Sequence, residues 1–308
     1  MGLGSFIGAG RSLDSALRRV ERAEELGYES VYVTHIRTRD SIGLLTAYAA
    51  HTERVRLGTG VIPIYARTPA NMAQSFATLD EFSGGRAIAG LGVSHKPVVE
   101  HWFGQSIDKP LAEMREYVAI VRAILRGEEP PPGDKWRTAF YLDGFEVRPD
   151  LPIYLAGLSP GMLRLAGEIA DGVILWLCNP NYIRDVVVPT VREGREKAGR
   201  AAEGFDIVAP VPSAVTDDPE DARERLRAEL VPYFGLPYYR KMLGLSGFDP
   251  DDGPTDEFLA LLSGIGTADE AAASVRRYAE SGATSPCVGG ITGTDYDATL
   301  DALAQALD

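Results

Sequence analysis

Between Val55 and Pro97 the chain reads strand, helix, strand, and that order restricts the possible folds more than any other stretch does. Residues 55–62 are apolar and rich in β-branched side chains, with no charge after Arg56. A strand buried on both faces of a parallel sheet has this composition. Thr68 followed by Pro69 opens a helix, with Thr as N-cap and Pro in the first turn. Ala73, Phe76, Ala77 and Leu79 carry the helix to Gly84-Gly85, where the glycines stop it. Residues 87–92 form the next apolar run and end in Gly92. Two strands joined by a crossover helix are the repeating unit of a parallel α/β sheet.

The alternation continues through the chain. Strand-like runs fall at 3–8, 30–34, 55–62, 87–92, 151–156, 173–177, 205–215 and 284–291. Helical patterns occupy 13–26 (capped by Ser12, stopped by Gly27), 41–51, 110–125, 159–170, 181–198, 218–233, 268–281 and 297–307. Pro189 predicts an interruption in its helix, and Pro210 with Pro212 predict a bulge or early end in the seventh strand. Asp143-Gly144 between apolar runs is a hairpin signal over 140–148, read as a surface decoration. Residues 93–104 read as a loop. Residues 235–266, with Tyr238, Tyr239 and Phe248 and a short helix near 256–262, read as an excursion over one end of the fold. Eight strand–helix units in 308 residues match an α/β chain closed as a (β/α)8 TIM barrel with insertions, one domain over 1–308. A doubly wound sheet is the alternative, but no GxGxxG follows the first strand.

Charge narrows the partners. The chain carries 44 acidic against 31 basic residues, a net −13 whose field repels nucleic acid and anionic membranes. No run of about eighteen apolar residues exists. Residues 1–11 lack the basic start and apolar core of a secretion signal, so a cytoplasmic location is expected. Cys178 and Cys287 read as two buried free thiols. No CxxC and no His/Cys cluster at ligand spacing points to a metal, so none is expected.

LGTGV (57–61), RTP (67–69), LDEFSGGR (79–86) and GLG (90–92) resemble the bacterial luciferase-like flavin and deazaflavin oxidoreductases, and the resemblance covers nearly the whole chain. It implies a barrel that binds FMN or coenzyme F420. SHKPVVEHWFG (94–104), followed by a proline-started helix containing MREYV, resembles the deazaflavin-dependent members. F420 is therefore the expected cofactor and FMN the alternative. The resemblance also implies a homodimer formed through helices flanking the second and third strands.

Barrels of this kind carry function at the C-terminal ends of their strands. The candidates there are His35, Thr59-Gly60-Val61, Gly92, Ser94-His95-Lys96, Ala156 to Ser159, Trp176 with Asn179, and Gly289-Gly290. A glycine loop entering a helix, residues 157–162, offers backbone N–H groups and the positive end of a helix dipole to a phosphate, with the Ser159 hydroxyl and Met162 alongside. An ordinary capped turn would look the same; the resemblance implies the phosphate. It also implies a non-proline cis peptide at Gly60–Val61 behind the cofactor ring. A strand glycine allowing close backbone approach is the other reading. His35, by the same resemblance, lies near the reactive edge of the ring as acid, base or hydrogen-bond donor to substrate. His51 is read as structural, His101 has no assigned role, and His95 is either a cofactor contact or a solvated loop residue. Arg37, Arg39, Arg67 and Lys96 follow strand ends and form either a rim for the F420 polyglutamate tail or solvated surface.

The leading function is hydride transfer between F420 and a small organic substrate. An FMN-dependent monooxygenase and a non-catalytic cofactor-binding barrel are the alternatives. An aldolase or isomerase barrel is disfavoured, because no lysine sits inside a strand and no carboxylates gather at strand ends.

Overall fold

Parallel pairing runs from β1 (Gly4–Phe6) through β2 (Ser30–Val33), β3 (Arg56–Thr59), β5 (Ala87–Gly92), β6 (Ile153–Ala156), β7 (Gly172–Ile174) and β8 (Asp206–Val215) to β10 (Ser285–Gly290). The ring closes because β10 pairs with both β8 (Ser285↔Val208) and β1 (Gly4↔Cys287). Two short strands lie off this ring: β4 (Ile62–Pro63) pairs with β5, and β9 (Gly264–Gly266) pairs with the last residues of β8. The computed structural model describes every residue except Met1, Ala9, Arg11, Ala202 and Asp308. The expected eight-stranded α/β barrel is thus present, and β9 is a strand the sequence did not announce.

The barrel interior is filled by Tyr32, Ile88, Tyr154, Ile174, Val208 and Cys287, with Phe6 and Val61 packed on them. At the N-terminal end Arg56 pairs with Asp206 at 3.2 Å and Tyr154 donates to the same carboxylate. Both strand ends are polar, but this one is filled by its own side chains. The opposite end is the one at which characterised barrels of this architecture carry their sites.

The LDEFSGGR motif turns out to be a brace. Asp80, 4% exposed, accepts Ala87 N–H at 3.2 Å and both arms of Arg148 at 2.7 and 2.9 Å. Arg86 donates to the carbonyls of Ser83, Ala49, Thr52 and Val55 and to the Thr52 hydroxyl, at 2.7–3.2 Å. One planar fork thereby ties the helix Ser41–Ala50 and the segment before β3 to β5. Arg86→Lys supplies at most three donors from a single point. We expect it to cost about 2–3 kcal/mol, because carbonyls are left unpaired, and to lower the urea midpoint without changing the slope.

Four expectations are corrected. Residues 93–104 are not all loop: Lys96–Trp102 is a helix, started by Pro97 and held by the fully buried Val99 rather than by a side-chain cap. Residues 140–148 form no hairpin. Phe140, Leu142, Phe145 and Val147 each pack against the core, and the Arg148–Asp80 pair pins the end of the arm, so its two halves do not pair with each other. Pro189 does not break its helix, because a π-helical turn (Ile183–Val187) precedes it and Val188–Lys197 continues directly. Pro210 and Pro212 neither bulge nor end β8. On the side facing β7 the ladder stops at Val208, whose carbonyl bonds Leu175 N–H, and resumes with β9 only at Ser213. Alternation aims residues 210 and 212 into that gap, where a missing N–H leaves nothing unpaired.

Candidate active site

At the C-terminal end of β3 the chain meets β5 and β6 at close range. Thr59 is fully buried; its hydroxyl donates to Gly90 O at 2.7 Å and accepts Gly90 N–H at 3.0 Å. Gly60 N–H bonds Val33 O at 2.8 Å, and the Gly60–Val61 peptide is cis. A Cβ on Gly60 would lie 2.5 Å from the Phe6 ring, and one on Gly92 would lie 2.7 Å from Val61 Cγ2 and 3.2 Å from Ala156 Cβ. Phe6, Gly60, Val61, Gly92 and Ala156 therefore make one closely packed apolar floor over the barrel interior, with no room for a Cβ at either glycine.

His35 stands two residues past β2. Its Nδ1 lies 3.0 Å from Ser41 Oγ and 3.4 Å from Ser41 N, and 3.8 Å from Asp40 Oδ2. Burial holds its pKa below the ordinary histidine value, Arg67 adds to that, and Asp40 opposes it. Asp40 is itself occupied, capping Gly43 N–H at 2.9 Å and pairing with Arg67. Arg67 also reaches Asn71 and Ser75. Of the other cations at this end, Lys96 lies 3.6 Å from Glu100, Arg39 donates to Gly10 O, and Arg37 stacks 4.9 Å over the Trp102 ring.

The loop after β6 splits by role. Gly157 N–H is already used by Ile174 O at 3.2 Å, and a Cβ there would strike Val173 Cγ2 at 2.6 Å. Gly157 is thus a packing glycine rather than a donor. Ser159 Oγ caps Met162 N–H at 3.4 Å, and Pro160 has no N–H. Among the described residues, the N–H groups of Leu158, Ser159 and Gly161 remain without a protein acceptor at the start of helix Pro160–Ile169. Tyr182 OH fixes the loop by donating to Leu158 O at 2.7 Å. Three open amides at a helix N-terminus favour an anion.

The excursion at 235–266 reaches this end through aromatic contacts. His95 lies 5.8 Å from Tyr239, Tyr239 is 5.0 Å from Tyr233, and Tyr233 is 6.2 Å from Trp176, ring centre to ring centre. Helix Pro237–Leu245 thereby bridges the loops after β5 and β7. Burial lowers the His95 pKa. Ser94 and Leu177, in those same two loops, both adopt φ of +58°, which non-glycine residues hold only where the surroundings impose it. A cavity of about 300 Å³ opens at the ends of β7, β8 and β10, lined by Trp176, Pro212, Leu230, Tyr233 and Gly290. A larger groove of about 500 Å³ lies between residues 139–145 and Gln74; none of the site residues lines it. Asn179 is fully buried and caps Tyr182 N–H at 3.0 Å, while its Nδ2 has no partner among the described residues.

Sequence reasoning missed Tyr239, Ser41 and Asp40. The helical spacing of Tyr239, Met242 and Leu243, all buried, was the available sign of the first. Asp40 and Ser41 become visible only as the cap and first residue of a helix placed beside His35. His51 pairs with Glu21 at 2.6 Å on the surface, and exposed His101 lies in the last turn of the short helix after β5. Among the described residues, no three of His, Cys, Asp or Glu gather as for a metal, and no helix is long and apolar enough to cross a membrane.

Residues 1–285 match the family described as luciferase-like monooxygenase. A Mycobacterium tuberculosis protein provisionally named a coenzyme F420-dependent oxidoreductase is 36% identical over 232 residues, 70% of this chain and 67% of that one. The 5,10-methylenetetrahydromethanopterin reductase of Methanolobus tindarius is 30% identical over 309 residues, 92% and 93% of the two chains. A solved F420-dependent secondary alcohol dehydrogenase, in complex with an F420–acetone adduct, superposes with a TM-score of 0.80 at 25% identity, covering 99% of this chain and 98% of that one.

Proposed function

Because the chain belongs to the luciferase-like monooxygenase family, we propose that it is an oxidoreductase that binds coenzyme F420 and moves a hydride between the deazaflavin and a small organic substrate. The observation that carries this reading is the pairing of three open amides in the loop after β6 with a closely packed apolar floor across β3, β5 and β6. A phosphate-bearing planar cofactor needs both, and the two relatives and the solved dehydrogenase, where their names specify a cofactor, specify F420.

In this reading Leu158, Ser159 and Gly161 N–H hold the cofactor phosphate. Thr59, Gly60, Val61, Gly92 and Ala156 back the ring. Ser94, His95, Met162 and Trp176 line its sides, and Gly157 shapes the loop. When bound, the deazaflavin accepts or delivers hydride at its C5. His35 faces the substrate and hydrogen-bonds the atom whose charge changes. The aromatic bridge through Tyr239 keeps water from that side of the mouth. The chain is also proposed to pair as a homodimer through helices Ser41–Ala50 and Pro69–Phe82, which light scattering on the purified protein tests by mass.

Fluorescence titration with F420 and with FMN at low micromolar protein tests the cofactor. Binding of F420 without FMN is the expected result. Binding of FMN alone would turn the assignment to a monooxygenase, and binding of neither by folded protein would remove it. The phosphate loop has its own test. Ser159→Asp keeps a good N-cap but sets a carboxylate among the open amides. We expect F420 affinity to fall about a hundredfold while the melting temperature holds or rises.

A further inference from the structure

We propose that Ser41 is a positioning residue that holds His35 as the neutral imidazole with its proton on Nε2. The inference rests on the proposed role of His35 only in placing that ring at the substrate; the tautomer follows from the fold itself.

Ser41 is fully buried and is the first residue of helix Ser41–Ala50. Its hydroxyl has one hydrogen-bond partner among the described residues, His35 Nδ1 at 3.0 Å, and its backbone N–H points at the same atom at 3.4 Å. A backbone N–H can only donate, so Nδ1 must accept. A proton on Nδ1 would set two N–H groups against each other at the positive end of a helix dipole. The remaining proton of the neutral ring therefore sits on Nε2.

Two charged groups face the ring. Asp40 Oδ2, 3.8 Å from Nδ1, favours the imidazolium. Arg67 opposes it and neutralises Asp40 directly, while Gly43 N–H occupies the other carboxylate oxygen. With Arg67 acting against Asp40, the Ser41 donors and the half-buried setting decide the form. Nε2–H then becomes a fixed hydrogen-bond donor toward a substrate oxygen or nitrogen that gains electron density, and it cannot serve as a base at that nitrogen.

The test is the histidine-ring ¹H–¹⁵N correlation spectrum of ¹⁵N-labelled protein without cofactor, with His35 identified by the signal lost in His35→Gln. A neutral Nε2–H pattern at pH 7 is expected, persisting below the pH at which a solvated histidine protonates. Ser41→Ala removes the hydroxyl at 3.0 Å and leaves only the longer backbone N–H contact at 3.4 Å, so the preference should weaken and a minor Nδ1–H population should appear, and Ser41→Thr should restore the wild-type pattern. An Nδ1–H or fully protonated ring in the wild-type protein overturns the tautomer, and an unchanged ring in Ser41→Ala overturns the role of the hydroxyl. The wild-type spectrum decides the tautomer even where a variant does not fold. Undiminished hydride transfer by His35→Ala would instead remove the catalytic role of His35 and leave the spectrum's answer standing.

Discussion

His35→Ala should lower kcat by about a hundredfold to ten-thousandfold, the span over which positioned acid–base or hydrogen-bonding groups act. F420 affinity should change little, because the amides of the loop after β6 and the floor at Gly60 and Gly92 do not touch His35. His35→Gln separates two roles. Its amide N–H can replace an Nε2–H donor but cannot titrate, so a donor role predicts activity well above that of His35→Ala. The pH profile carries the same argument. Burial keeps the folded pKa of His35 below about 6.5, the ordinary value, so the neutral form and the activity persist as pH falls past that point. The sign for stability is opposite to that of a paired histidine. Unfolded His35 takes up a proton near pH 6.5 and folded His35 does not, so stability falls as pH drops through that value toward the lowered one. Half-buried His95, whose pKa burial also lowers, adds in the same direction. Urea midpoints between about pH 7 and pH 5 should therefore decline more in the wild-type protein than in His35→Gln.

The chain order of the eight ring strands was legible because each is a short apolar run between helix signals, and the helix Pro69–Phe82 was legible from its start at Thr68 and Pro69 and its stop at Gly84-Gly85. What was not legible depends on neighbours. Pro210 and Pro212 look hostile to a strand until the gap between β7 and β9 is known. The Asp143-Gly144 turn looks like a hairpin until its flanks find the core and Arg148 finds Asp80. The site divides in the same way. Gly60, Gly92, Ala156 and Val61 announced themselves by position at strand ends, and the structure gathers them into one surface. Gly157 was misassigned as a donor, because only the ladder shows its N–H to be taken by Ile174. LDEFSGGR marks the family, yet its Asp80 and Arg86 brace the scaffold rather than the site.

Gly90→Ala should cost about 3–5 kcal/mol, an effect large enough to need a named collision. A Cβ on Gly90 would sit 1.8 Å from Thr59 O and 2.9 Å from Thr59 C and Ile174 Cδ1. The first two are backbone atoms of a neighbouring strand, which no side-chain rotation can move. Relief requires β3 and β5 to separate, and that breaks the reciprocal bonds between Thr59 Oγ1 and Gly90 at 2.7 and 3.0 Å. The floor built on Gly60, Val61 and Gly92 would move with them, so cofactor affinity should fall in whatever protein still folds. For a chain of 308 residues the loss corresponds to a melting temperature lower by roughly 5–8 °C. Gly244→Ala is the matched control. Gly244 lies in helix Pro237–Leu245, where a Cβ meets nothing within 4 Å. The same added methyl there should stabilise by about 0.5–1 kcal/mol through helix propensity and a less disordered unfolded chain. Opposite signs from one substitution at two glycines would show that contact with Thr59, and not the loss of glycine as such, sets the geometry under the site. Equal, small effects at both positions would mean that the two strands can part without harm, and the close approach would then have no bearing on the floor.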